Sequence, residues 1–253
     1  MAIGTRSYAR RLRYSNYFPT GVKWLLIINV AVYLAYFVAV RTGYGGFFQN
    51  FALMPGAVVK TFAFWQLFTY MFLHDPYGFF HITFNMLSLW MFGITLERDW
   101  GTKRFLQFYF ICGVGAGICV VVANGLLGDW TSRTIGASGA IYGLLMAFGM
   151  LYPDSTVLMD FLFPIKAKYF VLIYGAIAFL SAFMRESAVS AFAHLGGMLW
   201  GYLYLRSQRV RFRVDWFGML ATRYRSWKVE RAKRKFQVYL RKQGSGRDDR
   251  WVN

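Results

Sequence analysis

Ser138 and His194 are the residues of this chain on which an acyl-transfer reaction could be built. A serine hydroxyl is a poor nucleophile until a base within about 2.6–3.2 Å takes its proton, and imidazole does so near neutral pH. The chain has three histidines: His74 and His81 lie before and at the start of one apolar stretch, and His194 near the start of another. Asn85 follows His81 by four residues and shares its helix face, and Tyr142 is related in the same way to Ser138. Ser88 belongs to the same polar set. Other hydrolytic chemistries lack their parts. A zinc site of the His-Glu-x-x-His kind is absent, since His74 and His81 have the wrong spacing and no Glu between them. Asp160, Glu97 and Asp99 sit at the ends of apolar runs, where they cannot form a carboxylate pair at membrane depth, and a transporter would show buried carboxylates or paired broken helices. No metal and no cofactor is expected.

The elements that must position these groups follow from composition. The 253 residues are 57% hydrophobic and 21% aromatic but only 16% charged, with a mean hydropathy of +0.35. A soluble domain carries about a quarter charged residues, so disorder, a small disulfide scaffold and a single soluble domain are all disfavoured. A helix crossing a bilayer core of about 30 Å needs about 20 mostly apolar residues. Six runs qualify: Val22–Val40, Phe79–Leu96, Phe105–Leu127, Ala137–Leu151, Tyr169–Met184 and Ala188–Leu205. The fourth is short unless it begins inside the loop before it. Thr42–Leu73 is apolar but broken by glycines and Pro55, which predicts a long interfacial loop within residues 41–78. The fold class expected is therefore an all-α membrane protein, a six-helix bundle over residues 22–205. A basic N-terminus (1–21) precedes it and a basic tail (206–253) follows.

Charge orients the bundle. Of the 29 Lys and Arg residues, all but Arg41, Lys60, Arg133 and Arg185 fall on one side of this arrangement. Under the positive-inside rule both termini are then cytoplasmic. Spans two, four and six begin on the outer side, which brings His81, Asn85, Ser138 and His194 to one depth. Gly139-x-x-x-Gly143 and Gly197-x-x-x-Gly201 are small-residue faces through which spans four and six can approach closely. His194, Gly197 and Gly201 share one stripe, so meeting glycine faces would set His194 against Ser138. Each feature alone has a blander reading, a backbone-bonded Ser, a packing motif or a structural His. Their coincidence at one depth favours a Ser/His dyad.

The tail holds fifteen of the basic residues against Asp215, Glu230, Asp248 and Asp249. Apolar residues recur at helical spacing through Asp215–Leu240, which predicts an amphipathic helix on anionic lipid and no nucleic-acid partner. The basic start lacks a small-residue cleavage site, so the first span is expected to be an anchor. A bacterial inner membrane is favoured over an organelle. Cys112 and Cys119, about 10 Å apart along one helix at 1.5 Å per residue, are packing residues.

These residues together resemble the rhomboid intramembrane serine proteases. Gly136-Ala137-Ser138-Gly139 is similar to the family's Gly-x-Ser-Gly, whose Ser is the nucleophile. Ala193-His194-Leu195-Gly196-Gly197-Met198-Leu199-Trp200-Gly201 resembles its Ala-His-x-x-Gly-x-x-x-Gly, whose His is the base. His81-Ile82-Thr83-Phe84-Asn85 resembles its His-x-x-x-Asn, whose side chains are taken to support the oxyanion with the Ser138 N–H. Tyr142 stands where the family has an aromatic ring stacked on the catalytic His, and His74 resembles a further loop histidine. The resemblance covers roughly Lys23–Leu205. Two departures accompany it: Trp65-Gln66 stands in place of a Trp-Arg pair that braces the first loop in many bacterial members, and six residues, Asp75 to Phe80, separate His74 from His81. The resemblance implies cleavage of transmembrane segments, from single-pass proteins with helix-breaking residues near the outer interface. Water would enter through the loop Gly128–Ile135. The alternative is a non-proteolytic client-binding or membrane-remodelling protein on the same scaffold.

Overall fold

The computed structural model describes residues 18–159, 163–184 and 188–213, together with Lys228 and Arg231. The chain divides after Leu205 into two compact units. The basic N-terminus up to residue 17 and nearly all of the predicted amphipathic tail helix lie outside the described residues.

Among the described residues, six helices of 14 residues or more overlap the predicted runs. They are α1 (Thr20–Arg41), α5 (Phe79–Trp100), α6 (Thr102–Leu126), α7 (Ser138–Leu151), α8 (Ala167–Ser181) and α9 (Ala188–Arg213). The protein is a multi-pass membrane bundle: α1, α5 and α6 are each long and apolar enough to cross a bilayer. Trp24, Ile27, Leu34 and Val38 of α1 are exposed while Val22, Leu25, Asn29 and Tyr33 are buried. A helix apolar on both its faces suits an environment where the outward side meets lipid. α6 is the central helix, with half of its most apolar window buried against 22% for α1. Phe105, Phe108, Tyr109 and Cys112 on it are fully enclosed. Cys112 and Cys119 are free thiols and pack against Gly143 and Gly196 respectively.

α1, α5 and α9 outlast their apolar runs because charged or polar ends continue the helix beyond the apolar core, whereas α7 and α8 do not. Glu97, in the last turn of α5, is only 3% exposed. Its carboxylate accepts the backbone N–H groups of Gly21 and Val22 at 2.8 and 2.7 Å, and the Thr102 hydroxyl at 2.6 Å. A carboxylate thereby caps the otherwise unpaired amides at the start of α1 and ties in the first residue of α6. Counted from the sequence as a charge at a span end, Glu97 is instead a buried structural node.

Two features go beyond what the apolar runs predicted. The long loop predicted between Arg41 and Phe79 is built of short helical turns. It contains α2 (Gly45–Gln49), α3 (Pro55–Lys60), α4 (Gln66–Thr69) and a 3-10 turn at Tyr70–Phe72. Its glycines and prolines prevent a continuous ladder but permit single turns, and Pro55 opens α3 where its missing N–H costs nothing. The bracing that Gln66 put in doubt is present in another form. Gln66 is buried; its Oε1 accepts the Met54 N–H and its Nε2 donates to the Asn50 carbonyl, both at 3.0 Å. The second is a small antiparallel pair of strands, β1 (Thr156–Met159) and β2 (Phe163–Lys166), between α7 and α8, with Thr156 opposite Lys166. Beside it Lys168 pairs with the exposed Asp154 at 2.9 Å, and with Lys166 it holds that carboxyl below the usual range.

Candidate active site

Ser138 is the first residue of α7; the helix does not extend back into the preceding loop. The turn before it is shaped by Gly136, whose φ of +118° lies in a region that side chains rarely adopt. A Cβ there would also stand 2.9 Å from Nε2 of His81. The Gly136 N–H donates to the Tyr70 carbonyl at 2.9 Å, and the Tyr70 hydroxyl donates to the Gly113 carbonyl at 2.7 Å. Tyr70 thus anchors the turn to α6, a role with no signal in the sequence. Further back, Leu53 and Thr134 exchange both backbone hydrogen bonds at 3.0 and 2.8 Å, and the Gly56 N–H donates to the Trp130 carbonyl at 2.8 Å. The segment leading to Ser138 is strapped along its length to the first loop.

α7 and α9 meet at their glycines. A Cβ on Gly197 would lie 1.8 Å from the Gly139 carbonyl oxygen, and one on Gly201 would lie 3.0 Å from that of Gly143. This contact brings His194 across to α7, where Nε2 lies 3.0 Å from the Ser138 Oγ. The imidazole is stacked on Tyr142, with ring centroids 4.0 Å apart and planes within 5°. Stacking fixes the ring plane with no carboxylate partner.

A cavity of about 820 Å³ opens over these groups. His81, Asn85, Ser138, Tyr142 and His194 all line it, as do Ser88, Tyr174 and the charged Asp75 and Arg133. The first-turn amides of α7 have no partner within the helix, and with the helix dipole they favour negative charge beside Ser138. Asn85 donates one N–H of its amide to the His81 carbonyl at 2.7 Å, which leaves the second for another acceptor. His81 turns its Nε2 toward Gly136. His74 is a different case. Its ring is fully buried, 5.2 Å from that of His81. It lies behind the cavity and does not line it. The outer loop Gly128–Ile135 contributes Arg133, Thr134 and Ile135 to the wall. Within it Ser132 and Thr131 hydrogen bond the half-buried Asp129 and hold its carboxyl below the usual range. No group of three or more His, Cys, Asp or Glu side chains suited to a metal occurs among the described residues.

Chemically, a hydroxyl with an imidazole at hydrogen-bond distance, beside a helix N-terminus and an unspent amide donor, is equipped for attack on a carbonyl and for holding the resulting oxyanion.

A family profile for the rhomboid domain matches residues 61–208. The chain is 31% identical over 137 residues to "Rhomboid protein 1, mitochondrial" of Saccharomyces cerevisiae, covering 50% of this chain and 37% of the relative. It is 32% identical over 152 residues to "Rhomboid protease GluP" of Bacillus subtilis, with coverage of 60% and 27%. It is 34% identical over 175 residues to "RHOMBOID-like protein 2" of Arabidopsis thaliana, with coverage of 69% and 50%. The matched segment spans half or less of the length of these relatives.

Proposed function

The chain belongs to the rhomboid family, and on that premise we propose that it is an intramembrane serine endopeptidase acting through Ser138 and His194. The observation that carries the reading is the 3.0 Å approach of His194 Nε2 to Ser138 Oγ. His194 takes the Ser138 proton as Oγ attacks the scissile carbonyl. The tetrahedral oxyanion is held by the Ser138 N–H, the free N–H of Asn85 and His81. His194 then returns the proton to the leaving amine, and water hydrolyses the acyl-enzyme. Tyr142 keeps the imidazole in plane, and Gly136 makes the turn that exposes the hydroxyl.

Substrates on this reading are membrane proteins, most simply single-pass ones. A helical backbone has its carbonyls already paired, so a segment that unwinds near the outer interface is the one that can be attacked. The protein sits in a bacterial plasma membrane with both termini cytoplasmic and with its basic tail against anionic lipid. The charge distribution supports that orientation.

The test is cleavage of a labelled transmembrane segment by the purified full chain in detergent. Wild type should release product, while Ser138→Ala and His194→Ala should each lose at least about 10³-fold in kcat. Equal products from all three would sink the proposal and favour the client-binding alternative.

A further inference from the structure

The segment between His74 and His81 makes a compact turn. The Asp75 Oδ1 accepts the Tyr77 N–H at 2.9 Å, and the Asp75 carbonyl accepts the Gly78 N–H at 3.2 Å. The Gly78 carbonyl in turn accepts the His81 N–H at 3.0 Å, joining the turn to the first residues of α5. The turn then folds back on the imidazole it leads to: the Asp75 backbone N–H donates to Nδ1 of His81 at 3.3 Å.

That bond decides a proton. A ring tautomer is ordinarily assigned by weighing partners that can themselves reorient. Here the partner is a backbone N–H, which only donates. An Nδ1 that accepts from it cannot carry a hydrogen, so in the neutral ring the hydrogen is on Nε2. Nε2 is the nitrogen that faces Gly136, the residue two before Ser138, and His81 lines the same cavity as Ser138 and Asn85. The opposite tautomer would set two donors against each other at Asp75 and turn a lone pair toward the oxyanion.

We propose that the Asp75–Gly78 turn is a positioning device for His81: it holds the imidazole as the Nε2–H tautomer and so presents a donor, not a lone pair, to the pocket beside Ser138. Asp75 acts here through its backbone N–H, and its carboxylate keeps that N–H in place by closing the turn. The inference rests on the protease reading for its catalytic consequence, but the tautomer can be measured without turnover.

The experiment uses the full chain in detergent micelles with ring-labelled ¹⁵N-histidine, the His81 signals being identified by their loss in His81→Asn. In wild type and in Asp75→Asn, which retains the Oδ1 acceptor, Nδ1 of His81 should report as unprotonated and Nε2 as protonated. Asp75→Pro removes the N–H, and Asp75→Ala removes the side-chain closure. Both should mix the tautomers and lower kcat about tenfold or more with KM changed less than about twofold, because an oxyanion donor acts only in the transition state. Should Asp75→Pro not fold, the wild-type and Asp75→Ala spectra still decide. A wild-type ring protonated on Nδ1, or Asp75→Ala and Asp75→Pro with unchanged spectrum and kcat, overturns the inference. A wild-type chain that shows the Nε2–H ring yet cleaves nothing supports the positioning of His81 and counts against the protease reading alone.

Discussion

Gly197→Ala should separate catalysis from the rest of the fold. The added Cβ would lie 1.8 Å from the Gly139 carbonyl oxygen, 2.8 Å from its carbon and 3.3 Å from its Cα. All three are backbone atoms, so no side-chain rotation relieves the clash. Carbon and oxygen do not approach much below about 3.0 Å, and their attraction is best at about 3.5 Å. α7 and α9 must therefore part by roughly 1.2 Å or more at this point. Gly139 adjoins Ser138 and Gly197 lies one turn beyond His194, so most of that displacement passes to the Oγ to Nε2 distance. From 3.0 Å it would open to about 4 Å, outside hydrogen-bond range. A misplacement of about 1 Å costs on the order of 10²-fold in rate, equivalent to about 2.7 kcal/mol of barrier. The assay is steady-state cleavage of the labelled transmembrane segment, with thermal unfolding of the same preparations followed in parallel. Gly175→Ala is the control, since a Cβ there meets only the flexible end of Met198 at 3.3 Å, and it should cleave within about twofold of wild type. A Gly197→Ala protein with wild-type kcat would refute the argument that the glycine contact sets the distance between Ser138 and His194.

Three further outcomes are expected. Gly136→Ala must adopt a φ of +118° and press on Nε2 of His81 at 2.9 Å, so kcat should fall by at least about tenfold, as read in the same cleavage assay. Glu97→Ala removes a buried acceptor of three hydrogen bonds; with charge-assisted bonds at about 1.5–3 kcal/mol each but not additive, denaturation in mixed micelles should show a loss of about 3–5 kcal/mol. Gln66→Ala should cost about 1–3 kcal/mol in the same measurement, by freeing the Met54 N–H and leaving the Asn50 carbonyl with the Trp65 indole N–H alone.

The long helices were legible because bilayer-length apolar runs are a one-dimensional property, and their observed limits differ chiefly where charged residues extend a helix past its apolar core, as at Glu97 to Trp100. The approach of Ser138 to His194 was legible for a different reason: parity predicted one depth for them, and the two glycine motifs that predicted the contact do meet. What could not be read depended on tertiary partners with no periodic signature. Gln66 looked like a lost charge, yet its amide meets both a donor and an acceptor in the first loop. Tyr70 holds the turn by its backbone carbonyl, which any residue could provide, and reaches α6 by a hydroxyl whose partner no periodicity marks. The hairpin at 156–166 is two short apolar strands that composition does not separate from the flanking helices. Asn85 was expected to support the oxyanion, and its bond to the His81 carbonyl, which takes one N–H of the amide, had no signal of its own.

Glu97 also imposes an order on the making of the protein. The amides of Gly21 and Val22 are synthesised about 75 residues before the carboxylate that accepts them, and the Thr102 hydroxyl follows it by only five. Throughout that interval α1 is a helix with an unfinished end. Its closure awaits the last turn of α5 and coincides with the start of α6. Three helices are therefore tied together once residue 102 of the 253 has been made, and in a nascent chain stopped before Glu97 those amides are left to water.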